Sequence, residues 1–143
     1  MVERDYILRM IEQAGTVLKR LLRLVRDQGV DRELLTDDLQ QAAQLGGLDL
    51  DILRICDVEG LRHLVTLTGE LDPARTWLGA ETLYLDAVAA DLEGDEPAAI
   101  VSYVKAASLY RMMEPTWVLP TGFPEASERI AEIDTRLAKL SAE

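Results

Sequence analysis

Apolar residues recur at helical spacing along most of this chain, and the longest such segment covers residues 4–28. Six of them alternate by four and three positions to form a heptad seam: Ile7, Ile11, Ala14, Leu18, Leu21 and Val25. Such a seam is typical of a helix that packs along another helix. Other apolar residues widen this surface, so it must be covered on two sides, by the rest of the chain or by a second copy. The seam is therefore a candidate for self-association in a homodimer.

The same periodicity predicts further helices over residues 32–45, 74–92, 96–113 and 124–141, with two short helical pieces between residues 49 and 67. Gly29 and the pair Gly46-Gly47 are typical helix stops. Asp57 and Asp72 precede apolar periodic runs and are candidate N-caps. The second helix is predicted to face five residues inward: Leu34, Leu35, Leu39, Ala42 and Ala43. Sustained period-two alternation is absent, so we expect no sheet.

Residues 81–113 form a helical hairpin with a recognisable pattern. Gly94 and Asp95 stand at its turn, and Ala99, Tyr103 and Ala106 follow at the small, aromatic and small spacing of a tetratricopeptide second helix. This segment resembles a tetratricopeptide repeat. The opening residues 3–13 (ERDYILRMIEQ), residues 47–50 and 69–73, and the hairpin together resemble an uncharacterised bacterial family of small all-helical, tetratricopeptide-like proteins.

The predicted fold is all-α, built from antiparallel helical hairpins. A long N-terminal helix opens a first hairpin over residues 1–47, and short connecting helices occupy residues 48–73. The tetratricopeptide-like hairpin covers residues 74–113, and a C-terminal capping helix covers residues 125–143. Between them, the apolar, proline-rich segment 114–124 carries Trp117 and Phe123, and we expect it to fold back onto the bundle as a lid.

Charge restricts the partners. The chain has 26 acidic and 15 basic side chains, a net charge of -11. Residues 1–33 hold seven basic and six acidic side chains, about +1, and residues 34–143 hold eight and twenty, -12. The phosphate backbone repels such a body, so we expect no nucleic-acid partner. Any electrostatic partner of the main body should be basic; alternatively, the negative charge serves solubility.

Candidate catalytic residues are few. Cys56 and His63 are the single cysteine and the single histidine, and two ligands do not make a zinc site. Carboxylate pairs such as Asp49-Asp51 and Asp57-Glu59 lie mostly at helix starts and turns, where capping explains them. Phosphate-binding and dinucleotide-binding glycine patterns are absent. We therefore expect no catalytic residue, no metal and no cofactor, and predict that the protein is not an enzyme.

The sequence also carries no signal-peptide pattern and no apolar stretch of the roughly 20 residues that a membrane span needs. We expect a cytoplasmic protein that does not bind membranes. One free cysteine cannot form an intrachain disulfide.

The tetratricopeptide resemblance implies a ligand groove along the first helix of the hairpin, lined here by Glu81, Tyr84, Val88 and Asp91. Two of these are acidic and none is basic, which favours a basic or amphipathic protein segment. Alternatively, one repeat makes no groove, and these residues are solvated or covered by the Trp117 segment. The leading hypothesis is thus a non-enzymatic interaction module. The alternatives are a structural homo-oligomer that pairs through the N-terminal helix and, third, a small-molecule binder or enzyme.

Overall fold

The computed structural model describes residues 2–29, 31–115, 117 and 123–142, with side chains described from residue 9 to residue 141. This part of the chain is all-α apart from one minimal hairpin. Its helices, in chain order, are α1 (Val2–Gln28), α2 (Arg32–Leu45), α3 (Leu50–Ile55), α4 (Val58–Leu64), α5 (Pro73–Leu92), α6 (Glu96–Met112) and α7 (Ala126–Ala142). The all-α prediction is confirmed.

The predicted helix boundaries hold to within about two residues, because the capping residues act as expected. Gly29 follows α1 with φ +63, a left-handed conformation that glycine adopts without penalty. The Asp57 and Asp72 side chains accept hydrogen bonds from the backbone N–H groups of Gly60 and Arg75, at 2.8 and 3.1 Å. Each carboxylate thereby satisfies a donor that the first helical turn leaves unpaired.

The expectation of no sheet is wrong in one place. After α4 the chain forms β1 (Thr66–Leu67) and β2 (Glu70–Leu71), which pair antiparallel with Thr66 opposite Leu71. Thr68 and Gly69 make the turn, both with positive φ. Two residues per strand are too few to show alternation, so this hairpin left no periodic signal.

Helix α5 lies at the centre of the fold. Every residue from position 76 to position 90 is buried, as expected for a helix that is covered on all sides. Helices α1, α2, α3 and α6 pack against it, and α7 reaches it through ion pairs described below. The buried apolar side chains of all the helices form one connected core.

Helices α5 and α6 form the predicted antiparallel hairpin. The Tyr103 hydroxyl donates to Asp91 near the turn, at 3.0 Å, and the Leu109 side chain lies against Gly79 further along, 3.2 Å from where an added Cβ would stand. Residue numbers rise along one helix as they fall along the other, which defines the antiparallel arrangement. Ala99 and Ala106 are fully buried at the helix crossing, where small side chains allow close approach.

One inward-facing residue of α2 was predicted incorrectly. Leu35, Leu39, Ala42 and Ala43 are buried, whereas Leu34 is 67% exposed. At about 100° per residue the four buried positions span an arc of roughly 100° around α2, and Leu34 lies about 130° from the centre of that arc.

Candidate interaction surfaces

The face of α5 that was predicted to line a groove lies beneath α7. Glu81, Tyr84 and Val88 are buried, and Asp91 is half-buried. Tyr84, Val88 and Asp91 nevertheless line a cavity of about 300 Å³ together with Glu132, Thr135 and Arg136 of α7, so α7 covers this face only in part.

Arg129 of α7 makes the deepest contact with this face. Its Nε and Nη2 atoms donate to Oε1 and Oε2 of Glu81 at 3.0 and 3.3 Å, and both side chains are less than 10% exposed. The guanidinium also lies over the ring of Tyr84, 4.1 Å from its centroid, a cation–π arrangement. Burial acts to lower the pKa of Arg129, but the charge of Glu81 and its hydrogen bonds outweigh burial and raise it. The buried arginine therefore stays charged.

Arg136 makes the second contact, two helical turns along α7. Its Nε and Nη2 atoms donate to the two oxygens of Asp91 at 2.6 and 2.7 Å. Hydrogen bonds from Arg136 are the largest cause of the lowered pKa of Asp91, and the hydrogen bond from Tyr103 adds to it. Asp91 is thus fixed as an anion at the end of α5.

A hydrogen-bonded group between these two contacts ties three helices together. The Tyr84 hydroxyl of α5 donates to Glu132 of α7 at 2.5 Å, and Arg26 of α1 donates to the same hydroxyl at 2.7 Å. Arg26 also lies 3.1 Å from the Glu132 carboxylate. Burial, followed by the bond to Glu132, raises the pKa of Tyr84, so this hydroxyl remains a donor at neutral pH.

The chemistry predicted for a partner of this face is thus present within the chain. Helix α7 is amphipathic, and it places two arginines on the two acidic positions of α5 while Ile133 is buried in the core. The assignment of Glu81, Tyr84, Val88 and Asp91 to a separate partner stays a prediction, and it would require displacement of α7.

The heptad seam of α1 is also covered. Ile11, Ala14, Leu18, Leu21 and Val25 are all buried, because α1 packs against α5 and α2. The Ile7 side chain lies outside the described residues. A homodimer through this seam stays a prediction, but its described positions already contact the rest of the chain.

The proline-rich segment folds back at its described positions. The Phe123 ring meets Trp77 edge-to-face with centroids 4.9 Å apart. It covers Gly15 of α1, where an added Cβ would lie 3.1 Å from the ring. Trp117 is half-buried, and residues 116 and 118–122 lie outside the described residues. The lid prediction agrees with the placement of Phe123.

Sequence reasoning missed a buried carboxylate in α5, Asp86. Arg54 of α3 donates to its two oxygens at 2.6 and 3.2 Å, and the hydroxyl of Ser102 lies 3.2 Å away. Arg32 of α2 lies 3.9 Å from the same carboxylate. A single aspartate within the apolar run of residues 83–90 was the available signal, since such a group is buried only with partners. The cluster around Asp86 joins α2, α3, α5 and α6. It needs no ligand, because the charge of Asp86 is fully paired within it.

A second buried charge, Lys105 of α6, is satisfied by backbone. Its Nζ donates to the carbonyl oxygens of Leu53 and Arg54, which are among the groups that the end of α3 leaves unpaired. Burial lowers the pKa of this amine. The lysine thus anchors the end of α3 to α6.

Cys56 follows the last residue of α3, and His63 lies in the last turn of α4. His63 is exposed and Cys56 is half-buried. Within the described ranges, no group of three or more His, Cys, Asp or Glu side chains could hold a metal ion. The described helices also include none with the length and apolar content that a membrane crossing requires.

An exposed surface of mixed apolar and acidic character lies on α3 and α4. Its apolar members are Ile52, Ile55 and Val58, of which Ile55 is 82% exposed. Asp51, Asp57 and Glu59 alternate with them and are exposed too. We call this set the α3–α4 surface.

The outer face of α6 borders this surface. Lys105 fixes the end of α3 against α6, and Val101 and Val104 of α6 are 51% and 44% exposed. Exposed aliphatic side chains are ordinary when scattered, but a group of them rimmed by charge marks a contact region.

No protein-family model, curated protein or solved structure matches this chain. The tetratricopeptide-like resemblance therefore stays a hypothesis.

Proposed function

We propose that the protein is a non-enzymatic interaction module that binds a basic or amphipathic segment of another protein through the α3–α4 surface. The observation that carries this proposal is the 82% exposure of Ile55 among three exposed carboxylates. An aliphatic residue of this size, held at the end of an anchored helix, is the kind of side chain that fills a pocket or groove on a partner.

Charge supports the choice of partner. Between residues 51 and 59 the one basic side chain, Arg54, is directed into the fold and paired with Asp86. The exposed charges of this stretch are all negative, so a segment rich in lysine or arginine would be attracted and an acidic one repelled.

The contact between α5 and α7 is a precedent within the same chain. There, acidic positions on one helix hold the arginines of an amphipathic second helix, and Ile133 of that helix fills the apolar space between them. A partner segment of the same composition on the α3–α4 surface would use the same two interactions.

Site-specific photo-crosslinking in the native cells tests the proposal directly. A photoreactive amino acid at position 55 is expected to yield a discrete adduct whose crosslinked segment is rich in lysine or arginine. The same amino acid at position 34 is the matched control, because Leu34 is 67% exposed but lies on α2, outside the surface. The proposal fails if position 55 gives no adduct, or if both positions give the same ones.

The charge requirement has its own test. Replacing Asp51, Asp57 and Glu59 with their amides should abolish the adduct at position 55 while far-ultraviolet circular dichroism stays unchanged. An undiminished adduct in that variant would show that the acidic rim does not select the partner.

A further inference from the structure

The outer face of α1 carries the opposite charge from the rest of the molecule. Lys19, Arg20 and Arg23 are exposed there, and none forms an ion pair with any residue that the structure describes. With 26 acidic side chains in the sequence, a cluster of three unneutralised cations on one helix face is conspicuous.

Six other arginines each lie within 4.0 Å of a carboxylate: Arg26, Arg32, Arg54, Arg111, Arg129 and Arg136. Arg9, Arg62 and Arg75 also form no ion pair with a described residue, but they do not line a common cavity with the cations of this face. Lys19, Arg20 and Arg23 differ from them because all three line one cavity.

A trough of about 550 Å³ runs along the same face. Lys19, Arg20 and Arg23 line it together with Thr16, and its floor is apolar, formed by Gly15 and Phe123. Glu12 stands at one end. Since α1 rises 1.5 Å per residue, positions 12 to 23 extend over roughly 16 Å.

We propose that this trough binds a short acidic segment of a partner protein, with carboxylates on the three basic side chains and an apolar residue on the Phe123 ring. Its linear shape favours a chain over a compact anion, because cations spaced along a helix do not converge on one point. The basic trough is surrounded by a negatively charged surface, and this favours a short segment over a long one. A long polyanion would extend out of the trough to within a Debye length, about 8 Å, of the surrounding acidic side chains and would be repelled by them.

This site is distinct from the α3–α4 surface in position and in charge preference, so either proposal can fail without the other. Two sites of opposite preference would let the module hold a basic and an acidic segment at the same time.

Fluorescence anisotropy with a defined probe tests the trough. The probe is a labelled helical peptide with glutamates at i, i+4 and i+7 and one leucine between them, and its glutamine counterpart is the negative control. Compared with the wild-type chain, the Arg20→Gln/Arg23→Gln variant should bind the probe roughly tenfold more weakly, because two exposed ion pairs with the probe are lost. Arg62→Gln is the matched control, because Arg62 is an exposed arginine outside the trough.

A substitution that removes a negative charge from the trough provides a second test. Glu12→Gln removes a carboxylate from one end of the trough and should tighten binding of the acidic probe, whereas a non-specific charge effect would respond equally to Glu33→Gln on α2. Any of three results would overturn the proposal. The probe does not bind, its glutamine counterpart binds equally well, or Arg62→Gln weakens binding as much as Arg20→Gln/Arg23→Gln does. The proposal would also be overturned if tripolyphosphate or anionic vesicles bound to the protein and the peptide probe did not.

Discussion

Arg129 of α7 and Glu81 of α5 form a two-point ion pair at 3.0 and 3.3 Å, although 48 residues separate them in the chain. The pair lies among apolar side chains, with the Tyr84 ring against the guanidinium. It is the innermost link between the C-terminal helix and the central helix.

Removal of either partner of this pair should be severe, because it leaves the other charge buried and uncompensated. We expect Arg129→Met or Glu81→Gln to lower the free energy of unfolding by about 3–5 kcal/mol, as measured by urea denaturation. The exposed pair Arg111–Asp134 is the control, and Arg111→Met should cost at most about 1 kcal/mol. Equal effects in the two pairs would contradict the assignment of a buried ion pair.

Acid stability should depend on Asp91. Its pKa is lowered below the ordinary value of 3.8, chiefly by hydrogen bonds from Arg136. A carboxyl with a lowered folded-state pKa contributes stability that is present above its unfolded pKa and is lost as the pH falls through its folded pKa. We therefore expect Asp91→Asn to destabilise the protein at neutral pH and to flatten the decline of stability below pH 4. Denaturation curves over this range, with Asp38→Asn as an exposed control, measure the difference.

Alkaline stability should depend on three tyrosines. Burial is the main cause of the raised pKa of Tyr84, Tyr103 and Tyr110, each above the ordinary value of 10.0. A group with a raised folded-state pKa contributes stability that is complete below its unfolded pKa and is lost as the pH rises towards the folded value. Tyrosinate absorbance of these residues should therefore appear together with the loss of helical circular dichroism. Normal titration of all tyrosines in a folded protein would contradict their burial.

Tryptophan emission should report the packing of the proline-rich segment. Trp77 is 1% exposed and meets the Phe123 ring. In a Trp117→Phe background we expect blue-shifted emission, and Phe123→Ala should shift it to the red by admitting water to the indole. The natural sequence has no second phenylalanine to serve as an exposed control. Leu34→Ala, which also shortens a large apolar side chain, is used instead. Unchanged emission after Phe123→Ala would show that the ring does not shield Trp77.

Much of the fold could be predicted because its signals are local. Asp57 and Asp72 cap their helices through residues three positions away, and Gly29 ends α1 within one turn. The inward positions of α1 followed from spacing alone. Leu34 was wrongly predicted to face inward because an apolar side chain beside a buried one leaves no distinguishable period. The β1–β2 hairpin was missed because a strand of two residues is too short to show a period.

The interaction surfaces were less predictable. The tetratricopeptide resemblance placed Glu81, Tyr84, Val88 and Asp91 on one face and favoured a basic or amphipathic partner, but it did not indicate that α7 lies against that face. Asp86 and Arg54 are 32 residues apart, and nothing in the local sequence of either one specifies the other. The exposure of Ile55 likewise depends on how Lys105 of α6 holds the end of α3.

The sequence by itself therefore determined the helices, their ends, their buried stripes and the uneven charge, since each depends on residues within a few turns of one another. Only the tertiary structure decided which acidic residues are neutralised and which remain at the surface. That outcome depends on the chain's path through space, because an arginine pairs with whichever carboxylate the packed helices bring within reach. Arg129 and Arg136 pair with the two acidic positions of the predicted groove, whereas the carboxylates of the α3–α4 surface and Lys19, Arg20 and Arg23 of α1 are exposed.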